Sequence, residues 1–225
     1  MRPADPRPAA PLGKPALTGA AQHAPDGIEG PSGHRAPAPP AQAARSTSIV
    51  GVGVVLIGLG TYVYLAFAAR AMDVSHFARL SVVATAVITA GPGLFLPIEQ
   101  EVSRGLAHRI AVAQSGRSLI RKAMEIGGLL AAVAALLVIA LGLAGADRLL
   151  DGDMSLLVAL ACGIVSLLPA HLSRGVLAGS GHITRYAVQL SADGTLRAVG
   201  AAGLALAGVH TPWAYAALLT LAPLA

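Results

Sequence analysis

The chain has 225 residues, of which 55% are hydrophobic and only 12% are charged, and its mean hydropathy is +0.67. A soluble domain carries about 25% charged residues, so this composition calls for a non-aqueous solvent and places the chain among integral membrane proteins. The formal net charge of +5 does not point to nucleic acid, because the basic residues flank apolar runs instead of forming a block interleaved with aromatics. The single cysteine, Cys162, lies inside an apolar run, which leaves an internal disulfide, CxxC redox chemistry and a zinc site without support.

Residues 1–47 differ from everything after them. Ten of the fifteen prolines fall here, and Met1, Leu12, Leu17 and Ile28 are the only large apolar residues. Such a Pro/Ala-rich segment cannot bury enough surface to offset its ordering entropy, so it is expected to be a disordered tail. Residues 48–225 form the second region, a series of apolar runs expected to be helices at 49–69, 78–98, 126–146, 154–172, 186–208 and 211–225. At about 1.5 Å per residue, all but the last are long enough for a hydrocarbon core of about 30 Å. Backbone polar groups in lipid must be satisfied within the segment, which requires helices and not open strands. The predicted fold is therefore an all-α polytopic membrane bundle of about six transmembrane helices. The last run spans 15 residues to the end of the sequence, about 22 Å of helix, and the reading expects it to be incomplete.

Within the first run, Gly51, Gly53, Gly58 and Gly60 do not match a nucleotide-binding GxGxxG pattern and lack its strand–turn–helix setting. Pairs seven residues apart share a helix face, so they are expected to make smooth helix–helix contacts. The tail, the second connection and the fourth connection hold twelve of the sixteen basic residues. The positive-inside rule then places the N-terminus in the cytoplasm. Trp213 and Tyr215 fall at the outer interface.

Asp193 and Arg197 are the sharpest candidates for chemistry. They stand at i and i+4 on one helix face and can pair, and Arg197 lies near the middle of its run. An ion within a membrane helix is a functional-site hypothesis, since its burial is costly. One reading is a cation in a water-filled cavity that meets an anionic substrate, with Asp193 orienting it. The other is a self-neutralising structural pair. The stretch GPGLFLPIEQEVSR, residues 91–104, carries a second set. Pro92 and Pro97 each remove a helical donor and predict a hinge. Glu99 and Glu101 point about 200° apart and form no acid–base dyad. Glu101 and Arg104 are expected at a charged cytoplasmic gate edge. Asp147, Asp151 and Asp153 resemble part of a calcium loop without its glutamate, and helix capping explains them better. The scattered His171, His182 and His210 make no metal triad. No nucleophile arrangement or phosphate loop is present, so neither an enzyme nor a cofactor is expected, and no catalytic or metal residue is assigned.

Residues 58–70, GLGTYVYLAFAAR, followed by FARLS at 77–81, resemble the opening of the polysaccharide (Wzx-like) flippases of the multidrug/oligosaccharidyl-lipid/polysaccharide (MOP) exporter superfamily. GPGLFLPIEQEVSR is similar to the end of their second helix, and RGVLAGSGHITRY at 174–186 to their fourth connection. The resemblance implies one lobe of a two-lobed transporter, truncated to its N-terminal half. It implies a bacterial cytoplasmic membrane and a cargo of undecaprenyl-diphosphate-linked oligosaccharide flipped by alternating access without ATP. Arg197 and Asp193 would then face the cargo. A second lobe or another copy of the chain would be the partner, beside the lipid bilayer. A half-size or non-transporting membrane subunit and a drug/cation antiporter of the same superfamily are the alternatives.

Overall fold

The structure is a computed structural model and describes residues 40–150 and 152–224; the expected tail lies outside them up to residue 39. Six helices follow in chain order: α1 (Pro40–Ala71), α2 (Val74–Ala111), α3 (Arg117–Leu149), α4 (Met154–Gly179), α5 (Ile183–Leu206) and α6 (Pro212–Leu221), the last running into a 3₁₀ turn, Ala222–Leu224. No strand occurs among the described residues. The all-helical expectation is met.

α1 to α4 overrun their apolar runs, and side-chain caps start α2 and α4. α1 starts at Pro40, inside the stretch assigned to the tail, where proline suits the first helical position and an alanine-rich segment follows. α2 starts after Asp73, whose carboxylate accepts the backbone N–H groups of Ser75 and His76, both at 2.9 Å. The His76 backbone N–H, the His76 ring and the Ser75 hydroxyl together hold the Asp73 carboxyl well below the usual carboxylate range. Asp153 caps α4 in the same way through Ser155 and Leu156. α4 passes the expected end at 172 and continues to Gly179.

Where the hinge is predicted in α2, the structure has a single π turn, Gly91–Phe95, set within a continuous helix. The Leu96 N–H reaches the Gly91 carbonyl five residues back. Pro92 is the second residue of this turn, and Pro97 is the second residue of the α-helical stretch that follows it. The turn changes the helix phase. Val83, Val87, Gly91, Phe95 and Glu99 are all buried and step by four. An α-helix drifts about 40° at each such step, and a wider π turn takes back part of that drift. Glu99 therefore stays on the inner face.

Four stretches are long and apolar enough to cross a membrane: Ser48–Ala71, Val74–Ala111, Arg117–Gly145 and Met154–Gly179. Their outward faces expose large apolar side chains such as Val55 and Leu59 on α1 and Leu129, Leu136 and Leu141 on α3. Lipid suits such faces and water does not, so the protein is membrane-embedded. α5 is not among the four, because it carries Arg185, Asp193 and Arg197, and α6 is too short.

α4 is the central helix and packs against α2, α3, α5 and α6. Of its apolar stretch 61% is buried, against 17% for α1 and for α3. α1 instead runs along α5. Their backbones meet at Gly60 and Gly194: a Cβ on Gly60 would stand 2.0 Å from the Gly194 carbonyl oxygen, and one on Gly194 2.4 Å from that of Leu56. Of the two predicted glycine pairs, Gly53 and Gly60 make this contact, whereas Gly51 and Gly58 face open space. A similar approach joins α4 to α2, where Gly175 and Gly179 lie against the backbone of Glu99 and Ser103.

Candidate functional site

The close α1–α5 seam and the central position of α4 bring a set of charged side chains together inside the bundle. On α5, Arg197 Nε donates to Asp193 Oδ1 at 2.7 Å, and its Nη2 to Oδ2 at 3.2 Å. Arg174 of α4 donates from Nη2 to the same Oδ2 at 2.8 Å. Asp193 is 1% exposed and both arginines 6%. One carboxylate thus serves two guanidinium groups, all of them removed from solvent. Thr61 of α1 completes the shell: its hydroxyl accepts from Arg197 Nη1 at 3.2 Å and donates to the Ile57 carbonyl at 2.8 Å. Only the absence of side chains at Gly60 and Gly194 lets α1 come near enough for that contact. Arg174 Nε is buried and has no hydrogen-bond partner.

A second group lies beside the first. Glu99 of α2, His171 of α4 and Tyr186 of α5 meet where α2 crosses α4. His171 Nδ1 is 2.7 Å from Glu99 Oε2, and the Tyr186 hydroxyl donates to Glu99 Oε1 at 3.0 Å. Phe95, positioned by the π turn, stacks on the His171 ring with centroids 6.1 Å apart.

A cavity of about 320 Å³ opens between α1, α2, α4 and α5. His171, Arg174, Asp193 and Arg197 line it, facing Thr61 and the Gly91–Pro92 start of the π turn. Buried guanidinium groups on a cavity wall are suited to an anion, which they can hold by charge and by paired hydrogen bonds. Among the described residues no group of three histidine, cysteine, aspartate or glutamate side chains could hold a metal ion.

The predicted site residues divide. Arg197, Asp193 and Pro92 share the cavity wall. Pro97 and Glu101 line a separate apolar groove between α2 and α3. Glu101 and Arg104 pair with each other one turn apart on the exposed surface, their side chains 58% and 80% exposed. They do not approach the cavity, because position 101 is on the opposite face of α2 from Glu99. Of the expected gate edge, the structure shows an exposed Glu101–Arg104 ion pair. Glu99, on the other face of the helix, is buried.

Arg174, His171, Tyr186 and Thr61 were not among the predicted site residues. The available signal was the spacing of His171 and Arg174 on one face of a helix that continues past its apolar run. Compared with known protein families, characterised proteins and solved structures, the chain matches none.

Proposed function

We propose that the bundle is a transport lobe for an anionic lipid-linked cargo, of the oligosaccharide-flippase class that its sequence motifs resemble. In this reading the chain is a multi-pass protein of the bacterial cytoplasmic membrane with its N-terminus inside. The observation that carries the proposal is the buried Arg174–Asp193–Arg197 cluster on a cavity wall, in which two guanidinium groups share one carboxylate. A purely structural ion pair needs one arginine for one carboxylate. The second guanidinium leaves the trio itself with one positive charge beyond Asp193, which a diphosphate can use. The same geometry counts against a cation carrier, since Asp193 is already engaged on both oxygens. A second lobe or another copy would supply the facing wall of the transport path.

Binding in nanodiscs tests this. The chain is expected to bind undecaprenyl-diphosphate oligosaccharide and not the uncharged polyprenol. Loss of a charge-assisted hydrogen bond corresponds to about 1.5–3 kcal/mol, so Arg197→Gln should weaken binding on the order of ten- to a hundredfold. Equal binding of the neutral lipid, or an unchanged affinity in Arg197→Gln, would remove the proposal.

A further inference from the structure

The Glu99–His171–Tyr186 group does not neutralise the arginines directly, yet His171 shares their cavity wall, one helical turn from Arg174. As a carboxylate, Glu99 only accepts, so the Tyr186 hydroxyl and His171 Nδ1–H both donate to it. That arrangement sets the tautomer of the neutral ring and leaves Nε2 as its acceptor. Nε2 lies 3.1 Å from the point where a Cβ on residue 91 would stand, and Gly91 has none. Both Gly91 and His171 border the cavity. Phe95 holds the ring from one face.

We propose that the Glu99–His171 pair is a proton-binding site that sets the charge of the cavity. One proton passes from a solvent hydronium ion to His171 Nε2: an N–H bond forms, the hydronium O–H bond breaks and leaves water, and the Nδ1–H bond to Glu99 is kept. Histidine is the side chain whose ordinary charge change falls between pH 5 and 8.

The charged groups around it are few. α2 contributes Glu99, α4 itself Arg174, and α5 contributes Asp193 and Arg197 across the cavity, with Tyr186 reaching through Glu99. α1 brings only the uncharged Thr61, Ile57 and Gly58 to the wall, and no described residue of α3 or α6 lines it. With His171 neutral, two guanidinium groups balance two carboxylates. With His171 protonated, one positive charge is left over. Anion binding and proton binding then strengthen each other, and the strengthening is reciprocal. Only this coupling rests on the anion-cargo reading; the proton site does not.

The test has two parts. Nitrogen NMR of histidine-labelled full chain in nanodiscs, with His171→Gln to assign the signal, should show the His171 ring changing protonation state between pH 5 and 9. Glu99→Gln should shift the midpoint, and this variant also serves if His171→Gln misfolds. A His171 ring that keeps one protonation state across that range overturns the proposal. The second part uses inorganic pyrophosphate as the probe and takes the ratio of its Kd in His171→Gln to that in wild type. The probe's own titration is common to both proteins and cancels. The ratio should be on the order of tenfold or more at pH 5.5 and fall toward one at pH 8.5. A ratio that does not change with pH, although His171 titrates, overturns the link to the cavity. If His171 titrates but pyrophosphate binds neither protein, the proton site stands and the anion-transport reading falls.

Discussion

α1 and α3 are both long and apolar, and each buries only 17% of its apolar stretch, yet they are held in different ways. α1 meets α5 backbone to backbone at Gly60 and Gly194, and the seam leads into the buried Arg197–Asp193–Arg174 cluster. α3 meets α4 through leucine side chains set into glycine notches, Leu168 at Gly127 and Leu157 at Gly142. The difference shows what hydropathy does and does not encode. It decides that a helix belongs in lipid, where neighbouring helices gain little from burying more apolar surface. Which helices then associate depends on small residues and on polar groups that need partners. The α1–α5 seam is therefore set by backbone contact and leads to polar groups, whereas the α3–α4 contacts at Gly127 and Gly142 are apolar and made by side-chain ends.

The largest expected break in that contrast is at Asp193. Asp193→Asn keeps the shape and removes the charge that two buried arginines share. Leaving a buried ion uncompensated costs about 3–5 kcal/mol, and no single change in the α3–α4 hairpin should approach that. Reversible unfolding in mixed micelles measures it. Adding Arg197→Gln should recover part of the loss, since it removes one of the stranded cations. If the double variant is no more stable than Asp193→Asn, the charges are not what makes this seam different.

How much of this could be read from the sequence follows the same division. The helices, their number and the Asp193–Arg197 pair follow from run length and an i, i+4 spacing. Arg174 does not, because counting apolar runs ends a helix at its first charge. A charge that is paired inside the bundle looks the same as one at a helix end. Glu99 is hidden for a different reason. Its phase on α2 depends on the π turn at Gly91–Phe95, and its partners His171 and Tyr186 lie 72 and 87 residues away. The prolines mark where the helix departs from regularity. They do not say that the departure is a change of phase that keeps Glu99 inside and leaves Glu101 out. The glycine stripes are legible as faces, but only contact with α5 separates Gly53 and Gly60 from Gly51 and Gly58.

The second break tests the close backbone approach itself. In Gly60→Ala the new methyl would stand 2.0 Å from the Gly194 carbonyl oxygen. Nothing at that point can rotate away, so α1 must move off α5. Overpacking of this kind costs about 1–3 kcal/mol. The displacement should also lengthen the Thr61–Arg197 contact. The same micelle unfolding reads the first effect, and the pyrophosphate affinity of the variant reads the second. A Gly60→Ala protein as stable as wild type would mean that the seam is looser than its geometry.

The smallest effect is expected on the other side of the comparison. In Gly142→Ala the added methyl meets Leu157 Cδ1 at 2.3 Å, a nominal clash nearly as severe as the one at Gly60. The atom it meets is the free end of a side chain, however, and a leucine can change rotamer or tilt at its outer carbons. Alanine is also a better helix former than glycine by about 1 kcal/mol, which offsets the repacking. The net change should lie within about 0.5 kcal/mol of wild type, the two contributions nearly cancelling. The informative quantity is the gap between Gly142→Ala and Gly60→Ala, because both place one methyl on a glycine in an apolar helix. A gap of a kilocalorie or more, well above the usual effect of a surface substitution, means that what the methyl meets decides the outcome. If both variants lose the same stability, Leu157 is as fixed as a backbone carbonyl, and the two seams differ in polarity but not in rigidity.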